Sequence, residues 1–455
     1  MRMYKIKRAL FFFFVLRKRV IYVGIIAVAI ATIATVITTP IISRHWHNRL
    51  TRADFLYDFD YMIAALEANF PSFGIIYRQH GVDMLEAAHD LRNRLEHRST
   101  RINFELFWNM LRDDFFNHAL PGDEPLPIGH LRLVADAERR WLLSVYETFS
   151  YFGAHSYFVD ILGSPPTHSS YPTLRAHVHT LVRSPCWQPY RVLSTNIIEE
   201  GTIGYLRVYT FSREPASYEL EMLTVLYSEI ADFEHLIIDI RGNTGGDTHI
   251  FERNVTGFLT NSPFRTHFHH FIMNGEHNMS FAQATREIRR ITRNAIYDIY
   301  VFEGEGFRFI RGNLYVGNNV SCCVLDDISR MNYVFVESRI IMPQVERYRS
   351  SFDGEIWLLI DRHVYSAALY VAAVHKEIGF ATLVGETTGG GAASPWHSNF
   401  IVLPNTGIIV RYDPTFVTDR HGRPLEYGIE PHYFNRPGMD ALETVLAMIA
   451  EGALK

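Results

Sequence analysis

The chain has 455 residues, of which 47% are hydrophobic, 14% aromatic and 20% charged. This length exceeds one average domain, and the hydrophobic fraction suffices for a large core, so two compact units with accessory segments are expected. The formal net charge is −5, and the absence of basic runs beyond the amino end argues against a nucleic-acid-binding protein. The three cysteines provide neither a disulfide framework nor a zinc-ligand spacing: Cys186, Cys322 and Cys323.

The amino end has the pattern of a membrane anchor. Residues 1–19 include seven basic residues and no acidic one, and the 24 residues from Val20 to Ser43 carry no charge. A run of this length can span a bilayer as a helix, and the basic residues before it predict a cytoplasmic N-terminus and an extracytoplasmic remainder. The alternative is a cleaved signal peptide and a secreted protein. The run exceeds the roughly 7–15 apolar residues of a signal peptide, which favours the anchor.

The exported part is predicted to be acidic. Removing the seven basic residues of the amino end from a total of 44 leaves 37 basic residues against 49 acidic ones. An acidic body without basic runs argues against nucleic-acid binding.

Residues 54–120 are predicted to form a small helical domain. Hydrophobic residues recur at spacings of three and four from Phe55 to Leu66, and Pro71 ends this helix. Further amphipathic stretches run from Met84 to Leu95 and from Phe104 to Phe116. Residues 121–200 form a linking region, within which residues 128–133 alternate like the start of a strand.

Residues 201–440 have the pattern of an α/β core. The segments 204–208 and 236–240 are predicted strands with a helix at 216–233 between them, which is typical of a βαβ unit with parallel strands. A glycine-rich turn follows at 241–247. After an insertion at about 248–353, the pattern resumes with a strand at 356–360, a helix at 367–378 and a strand at 381–384. Two further strands, near 399–403 and 407–412, are predicted to form a hairpin.

Ser366 stands where a buried strand and a polar turn lead into a helix of small residues. The free N–H groups and the dipole at a helix N-terminus favour negative charge, as an acyl-transfer nucleophile requires. The alternative is that Ser366 is only an N-cap. The glycine-rich turn 241–247 is similarly ambiguous. It could hold a phosphate, although it lacks the ending of a P-loop, or it could supply oxyanion donors.

A histidine cluster, His267, His269 and His270, is the one candidate for a metal site. It lacks a carboxylate at helical spacing, which favours an ordinary strand or loop over a metal site. No metal or other cofactor is predicted.

Five ordered segments carry a resemblance to a known family. They are 204–206, 236–246, 359–369, 385–390 and 422–431. Together they resemble the C-terminal processing (tail-specific) serine peptidase family over roughly residues 201–431, with weaker similarity at 58–61 and 69–71. The resemblance implies a ClpP/crotonase-like α/β core and Ser366 as the nucleophile. It also implies an oxyanion hole formed by the N–H groups of Gly245 or Gly246 and of Ala367.

The resemblance leaves the catalytic base to be decided between two branches. One branch uses a lysine about 25 residues after the serine, where this chain has Gly391. Lys376 lies ten residues along the same helix, about 15 Å from Ser366, and cannot reach the hydroxyl. The sequence is more similar to the branch of the tricorn core and the interphotoreceptor retinoid-binding modules, which uses a histidine and a late glutamate.

In that branch the resemblance implies His130 as the base and Glu426 as the third catalytic residue, with His118 as the runner-up base. A histidine base predicts activity that rises through a pKa of about 6–7. Two departures from the family pattern are Leu369, where a glutamate is usual, and Gly129, where tricorn has a serine. No PDZ module is recognisable between residues 130 and 203, which argues against a processive mode.

The sequence therefore predicts an extracytoplasmic, membrane-anchored serine endopeptidase that acts on peptides or unfolded protein segments. The alternative is a non-catalytic ligand- or partner-binding module on the same fold. Acyl-CoA chemistry is a third class, which the shared fold suggests only by analogy. The expected partners are a peptide or protein substrate and, through the N-terminal helix, the membrane.

Overall fold

The computed structural model describes residues 50–117, 130–134, 191–261, 263–284, 307–310, 313–316, 331, 333–341, 350–391, 398–419 and 421–452. The predicted membrane segment 20–43, the runner-up base His118 and all three cysteines lie outside these residues. Within the described ranges, no helix is both long and apolar enough to cross a bilayer.

The N-terminal part is helical, as predicted. Its helices are α1 Arg52–Asn69, α2 Phe73–His80, α3 Met84–Glu96 and α4 Phe104–Asn109, and α4 continues as a π-helix at Met110–Phe116. A capping box formed by Thr51 and Asp54 starts α1, and the side chain of Asp83 caps α3. The short helix α2 was not predicted, because Pro71 ends α1 and a new helix begins directly after it.

The structure contains the core elements predicted near 204–208, 216–233, 236–240, 356–360, 367–378, 381–384, 399–403 and 407–412, and it adds strands and helices that the sequence did not predict. The strands are β1 Arg132–Leu133, β2 Leu193–Glu199, β3 Ile203–Val208, β4 His235–Asp239, β5 Phe264–Ile272, β6 Phe307–Ile310, β7 Asn313–Val316, β8 Tyr333–Ile341, β9 Glu355–Ile360, β10 Thr382–Gly385, β11 Asn399–Val402, β12 Ile409–Tyr412, β13 Thr415–Thr418 and β14 Tyr433–Phe434. The helices are α5 Ser217–Glu229, α6 Thr248–Phe251, α7 Gly257–Leu259, α8 Glu276–Ala284, α9 Ala367–Glu377 and α10 Ala441–Ala450.

The main sheet brings two predicted turns together. Among the described residues its strand order is β14-β10-β9-β4-β3-β2, and only β2 runs antiparallel to its neighbour. Helices α5 and α9 pack on one face and α10 on the other, as expected of a parallel sheet buried on both faces. Because β4 and β9 are parallel neighbours, the turns after them, 241–247 and 361–366, meet at one sheet edge.

Two further sheets lie beside the main one. The sheet β1-β12-β11 packs against the N-terminal helices and shares a hydrophobic core with them. The sheet β13-β5-β8 is built largely from the 248–353 insertion. Strand β5 carries the predicted histidine cluster, and both His269 and His270 are buried. No three potential metal ligands converge within the described part of the chain.

A buried carboxylate holds the helical domain on the core. Asp58 of α1 is fully buried and accepts four hydrogen bonds from the loop between β11 and β12. Asn405 donates from its backbone N at 2.8 Å and from Nδ2 at 3.0 Å, and Thr406 donates from its backbone N at 2.7 Å and from Oγ1 at 2.6 Å. The 58–61 segment singled out in the sequence therefore contains a structural anchor.

Asp58→Asn should destabilise the protein by about 2–4 kcal/mol, because an amide nitrogen would then face N–H or O–H donors that now bond to a buried carboxylate oxygen. Asp60→Asn is the matched control, since Asp60 lies on the same helix in an exposed pair with Arg92 and should cost at most about 1 kcal/mol. Urea-induced unfolding measures both. Equal unfolding midpoints for the two variants would contradict the anchoring role of Asp58.

Candidate active site

Ser366 lies at a sharp turn between β9 and α9. Its backbone has φ 55° and ψ −124°, a conformation that costs a non-glycine residue roughly 1–3 kcal/mol. Its side chain makes no capping hydrogen bond to α9, so the simple N-cap interpretation is not supported. The half-buried hydroxyl is held at the N-terminus of a helix, where negative charge is favoured.

The glycine-rich turn lies directly against Ser366. A Cβ atom on Gly245, which has φ +102°, would be 2.9 Å from the Ser366 Cβ and 2.8 Å from the Ala367 N. Only glycine permits this approach. The fully buried Asn243 joins the two turns, because its carbonyl accepts from the N of Tyr365 at 3.1 Å and its Nδ2 donates to the Val208 carbonyl at 3.1 Å.

The same asparagine narrows the choice of oxyanion donors. The Gly245 N–H donates to the Asn243 side chain at 2.9 Å and is therefore already engaged. The predicted donors that remain are the N–H groups of Gly246 and of Ala367, the first residue of α9.

His130 is buried beside the turn 361–366 that carries Ser366. Its ring packs edge-on against the ring of Tyr365, with 5.4 Å between the centroids, and Tyr365 directly precedes Ser366. Nδ1 of His130 lies 2.6 Å from Oδ2 of Asp413. A carboxylate only accepts, so Nδ1 carries the proton and Nε2 of the neutral ring is left as the basic nitrogen.

Burial is the main influence on the titration of His130. It lowers the pKa of the imidazole, and the charges of Arg411 and Arg132 lower it further, while Asp413 acts in the opposite direction. The net pKa lies below the ordinary value of 6.5. A neutral imidazole at neutral pH is the form that can accept a proton.

Glu426 is a further buried carboxylate, near Tyr365. It lies on the short 3₁₀ turn Leu425–Tyr427, and its Oε2 accepts from the N–H of Gly391. It raises the pKa of the Tyr365 phenol, although burial of that phenol is the larger cause. The carboxylate hydrogen-bonded to His130 Nδ1 therefore belongs to Asp413, whereas Glu426 contacts Gly391 and the surroundings of Tyr365.

The place of the dyad lysine is filled by an aromatic ring. Gly391 has φ +77°, and a Cβ atom there would lie 1.9 Å from Cζ of Tyr365. No lysine side chain fits at this position. Lys376 donates from Nζ to the Glu430 carbonyl at 2.7 Å, at an exposed site.

The sequence reasoning missed three residues of this site, namely Asn243, Asp413 and the phenol of Tyr365. Asp413 could be found only from the register of β1 on β12, two strands that are far apart in the chain. Leu369, which stands where the family usually has a glutamate, is fully buried in the hydrophobic core beneath α9.

Comparisons with known proteins agree with this architecture. Residues 202–434 match the model of peptidase family S41. No curated protein sequence matches the chain. A candidate peptidase from Parabacteroides merdae ATCC 43184 is 17% identical with a TM-score of 0.50, covering 90% of this chain and 98% of that one.

Two further solved structures are similar to the chain. Mature CPAF complexed with lactacystin is 15% identical with a TM-score of 0.49, covering 88% of this chain and 97% of that one. The photosystem II D1 C-terminal processing protease is 12% identical with a TM-score of 0.37, covering 87% and 96%. Likeness at these identities shows the fold alone, whereas the family match spans just over half of the chain. The chain belongs to peptidase family S41 and is a serine peptidase.

Proposed function

We propose that this peptidase is an endopeptidase that hydrolyses peptides or unfolded protein segments through an acyl-enzyme ester on Ser366. The observation that supports it most is the position of the Ser366 hydroxyl, held at positive φ at the start of α9 and packed against Gly245. Such a placement exposes a nucleophile to fixed backbone donors.

His130 acts as the general base in this mechanism. Its Nε2 accepts the hydroxyl proton as Oγ of Ser366 attacks the scissile carbonyl, and the N–H groups of Gly246 and Ala367 stabilise the oxyanion. The imidazolium then gives the proton to the leaving amine as the peptide bond breaks. A water molecule attacks the ester with the same base, which releases the acid product and restores Ser366.

The histidine branch is supported by what occupies the alternative positions. The ring of Tyr365 fills the space beside Gly391, and the ammonium of Lys376 is bonded to a backbone carbonyl on the surface. Glu426 supports the site by accepting a hydrogen bond from the N–H of Gly391 and by acting electrostatically on Tyr365. Tyr365 belongs to the turn that carries Ser366, and Gly391 lies against its ring.

Fluorophosphonate labelling of the full chain tests the function. The probe phosphonylates a serine only where a base activates the hydroxyl and donors stabilise the adduct. Peptide mapping should find the label on Ser366. An unlabelled Ser366 in folded protein would instead support a non-catalytic binding module on the same fold.

The catalytic body lies outside the cytoplasmic membrane in this proposal, tethered by residues 20–43. Its support is the sequence, in which seven basic residues precede 24 uncharged ones. Protease added to intact spheroplasts should digest the body and spare only a short N-terminal fragment. Recovery of a soluble form that begins between about Ala31 and Trp46 would show a cleaved signal peptide instead.

A further inference from the structure

Strand register brings three polar side chains into one row. Strand β12 pairs with β1 so that Arg132 faces Arg411, and continuing this antiparallel register by two residues places His130 opposite Asp413. Strand β12 also pairs with β11, and continuing that register by one residue places Ser398 opposite Asp413. We call His130, Asp413 and Ser398 the polar row.

The hydrogen bonds of the row are short, and each member is buried. Oδ2 of Asp413 lies 2.6 Å from Nδ1 of His130, and Oγ of Ser398 donates to Oδ1 at 2.7 Å. The exposed fractions are 8% for His130, 1% for Asp413 and 4% for Ser398. Ser398 thus fixes one oxygen of the carboxylate while the other oxygen faces the imidazole. Pro414 restricts Asp413 to an extended backbone.

The backbone of His130 is itself strained, with φ 51°. A non-glycine residue keeps such a conformation only where its surroundings hold it there. The bond to Asp413 and the packing of the ring on Tyr365 supply that restraint on two sides of the imidazole.

We propose that Asp413, itself held by Ser398, is the positioning residue that sets the tautomer and orientation of the His130 base, and that Glu426 has the separate task of holding Gly391. This inference rests on the proposed function, in which His130 is the base. It assigns the carboxylate partner of the base to the residue that directly follows β12.

Asp413→Asn should lower kcat by about 10²–10⁴-fold with little change in KM, because an amide can donate to Nδ1 and favour the wrong tautomer. Ser398→Ala leaves the carboxylate in place and should cost less than about tenfold. Asp58→Asn removes a buried carboxylate of helix α1. The kcat of this variant, counted per molecule that reacts with fluorophosphonate, should equal that of the unmutated enzyme. Equal kcat losses for Asp413→Asn and Asp58→Asn would overturn the proposal.

The pH profile separates positioning from a purely structural role. The charged groups that act on His130 are Asp413, Arg411 and Arg132, and of these only Asp413 raises the pKa of the imidazole. Tyr365 packs on the ring and has a pKa well above the neutral range. Removing Asp413 should therefore move the acid limb of kcat/KM to lower pH. An unmoved limb would contradict the proposal.

If Asp413→Asn fails to fold, a measurement on the unmutated protein still tests the tautomer of His130. In full-length protein with ¹⁵N-labelled histidine, the long-range ¹H–¹⁵N spectrum should show His130 protonated at Nδ1 and bare at Nε2, with the signal assigned by its loss in His130→Gln. Protonation at Nε2 in the neutral ring would overturn the inference. Failure of fluorophosphonate labelling would overturn the proposed function, whereas this spectrum still reports on the His130–Asp413 pair.

Discussion

Ser366→Ala should reduce the hydrolysis of casein by at least about 10³-fold and abolish fluorophosphonate labelling. The loss follows because the substitution removes the Oγ that lies at the start of α9 beside the glycine-rich turn. The free energy of unfolding should change by less than about 1 kcal/mol, since the Ser366 side chain does not cap α9 and alanine keeps the same backbone strain.

The control for this substitution is Ser194→Ala. Ser194 lies on β2, an edge strand of the main sheet, and its hydroxyl contacts Tyr209 at 3.1 Å. This variant should keep full turnover of casein. Turnover that persists in Ser366→Ala, or a label found on another serine, would contradict the assignment of the nucleophile.

The features that the sequence predicted well depend on local patterns. The βαβ unit and the strand before Ser366 are marked by continuous buried apolar runs, and the observed β4 and β9 match them. The parallel pairing of these strands then places the 241–247 turn beside Ser366, as the resemblance implied. The helices of the N-terminal part follow from the periodicity of their buried residues.

The partner of His130 could not be found in this way. His130 and Asp413 are 283 positions apart, and only the register of β1 on β12 makes them neighbours. Strand β1 has two residues, too few for a periodic pattern. A late carboxylate in a resembling segment, Glu426, was therefore the visible candidate, and its Oε2 accepts from the N–H of Gly391.

The helical domain also contacts the turn that carries Glu426, which the periodicity of its sequence does not indicate. Gln79 of α2 donates to the carbonyl of Glu426 at 3.0 Å, and Arg78 donates to the Tyr427 hydroxyl at 2.7 Å. Helix α2, which the sequence reasoning did not predict, thus supports the turn that carries Glu426. The domain is therefore tied to the core at Asp58 and again at the active site.

His130→Ala should reduce casein hydrolysis by at least about 10³-fold, because it removes the imidazole that acts as the base in the proposed mechanism. Lys376→Ala is the matched control, since the Lys376 ammonium lies on the far part of α9 and bonds to a backbone carbonyl. That variant should retain the turnover of the unmutated enzyme. Loss of turnover in Lys376→Ala with tolerance of His130→Ala would contradict the histidine branch.

The pH dependence of kcat/KM tests His130 as the general base in the unmutated protein. A general base must be neutral to accept a proton, so activity is lost as the pH falls through the pKa of His130. Burial lowers that pKa, and the acid limb should therefore lie below about 6.5 rather than across the 6–7 range expected from an ordinary histidine. A limb above 8 would indicate an amine base. A limb below 6.5 that persists unchanged in Lys376→Ala would match a buried imidazole beside Asp413.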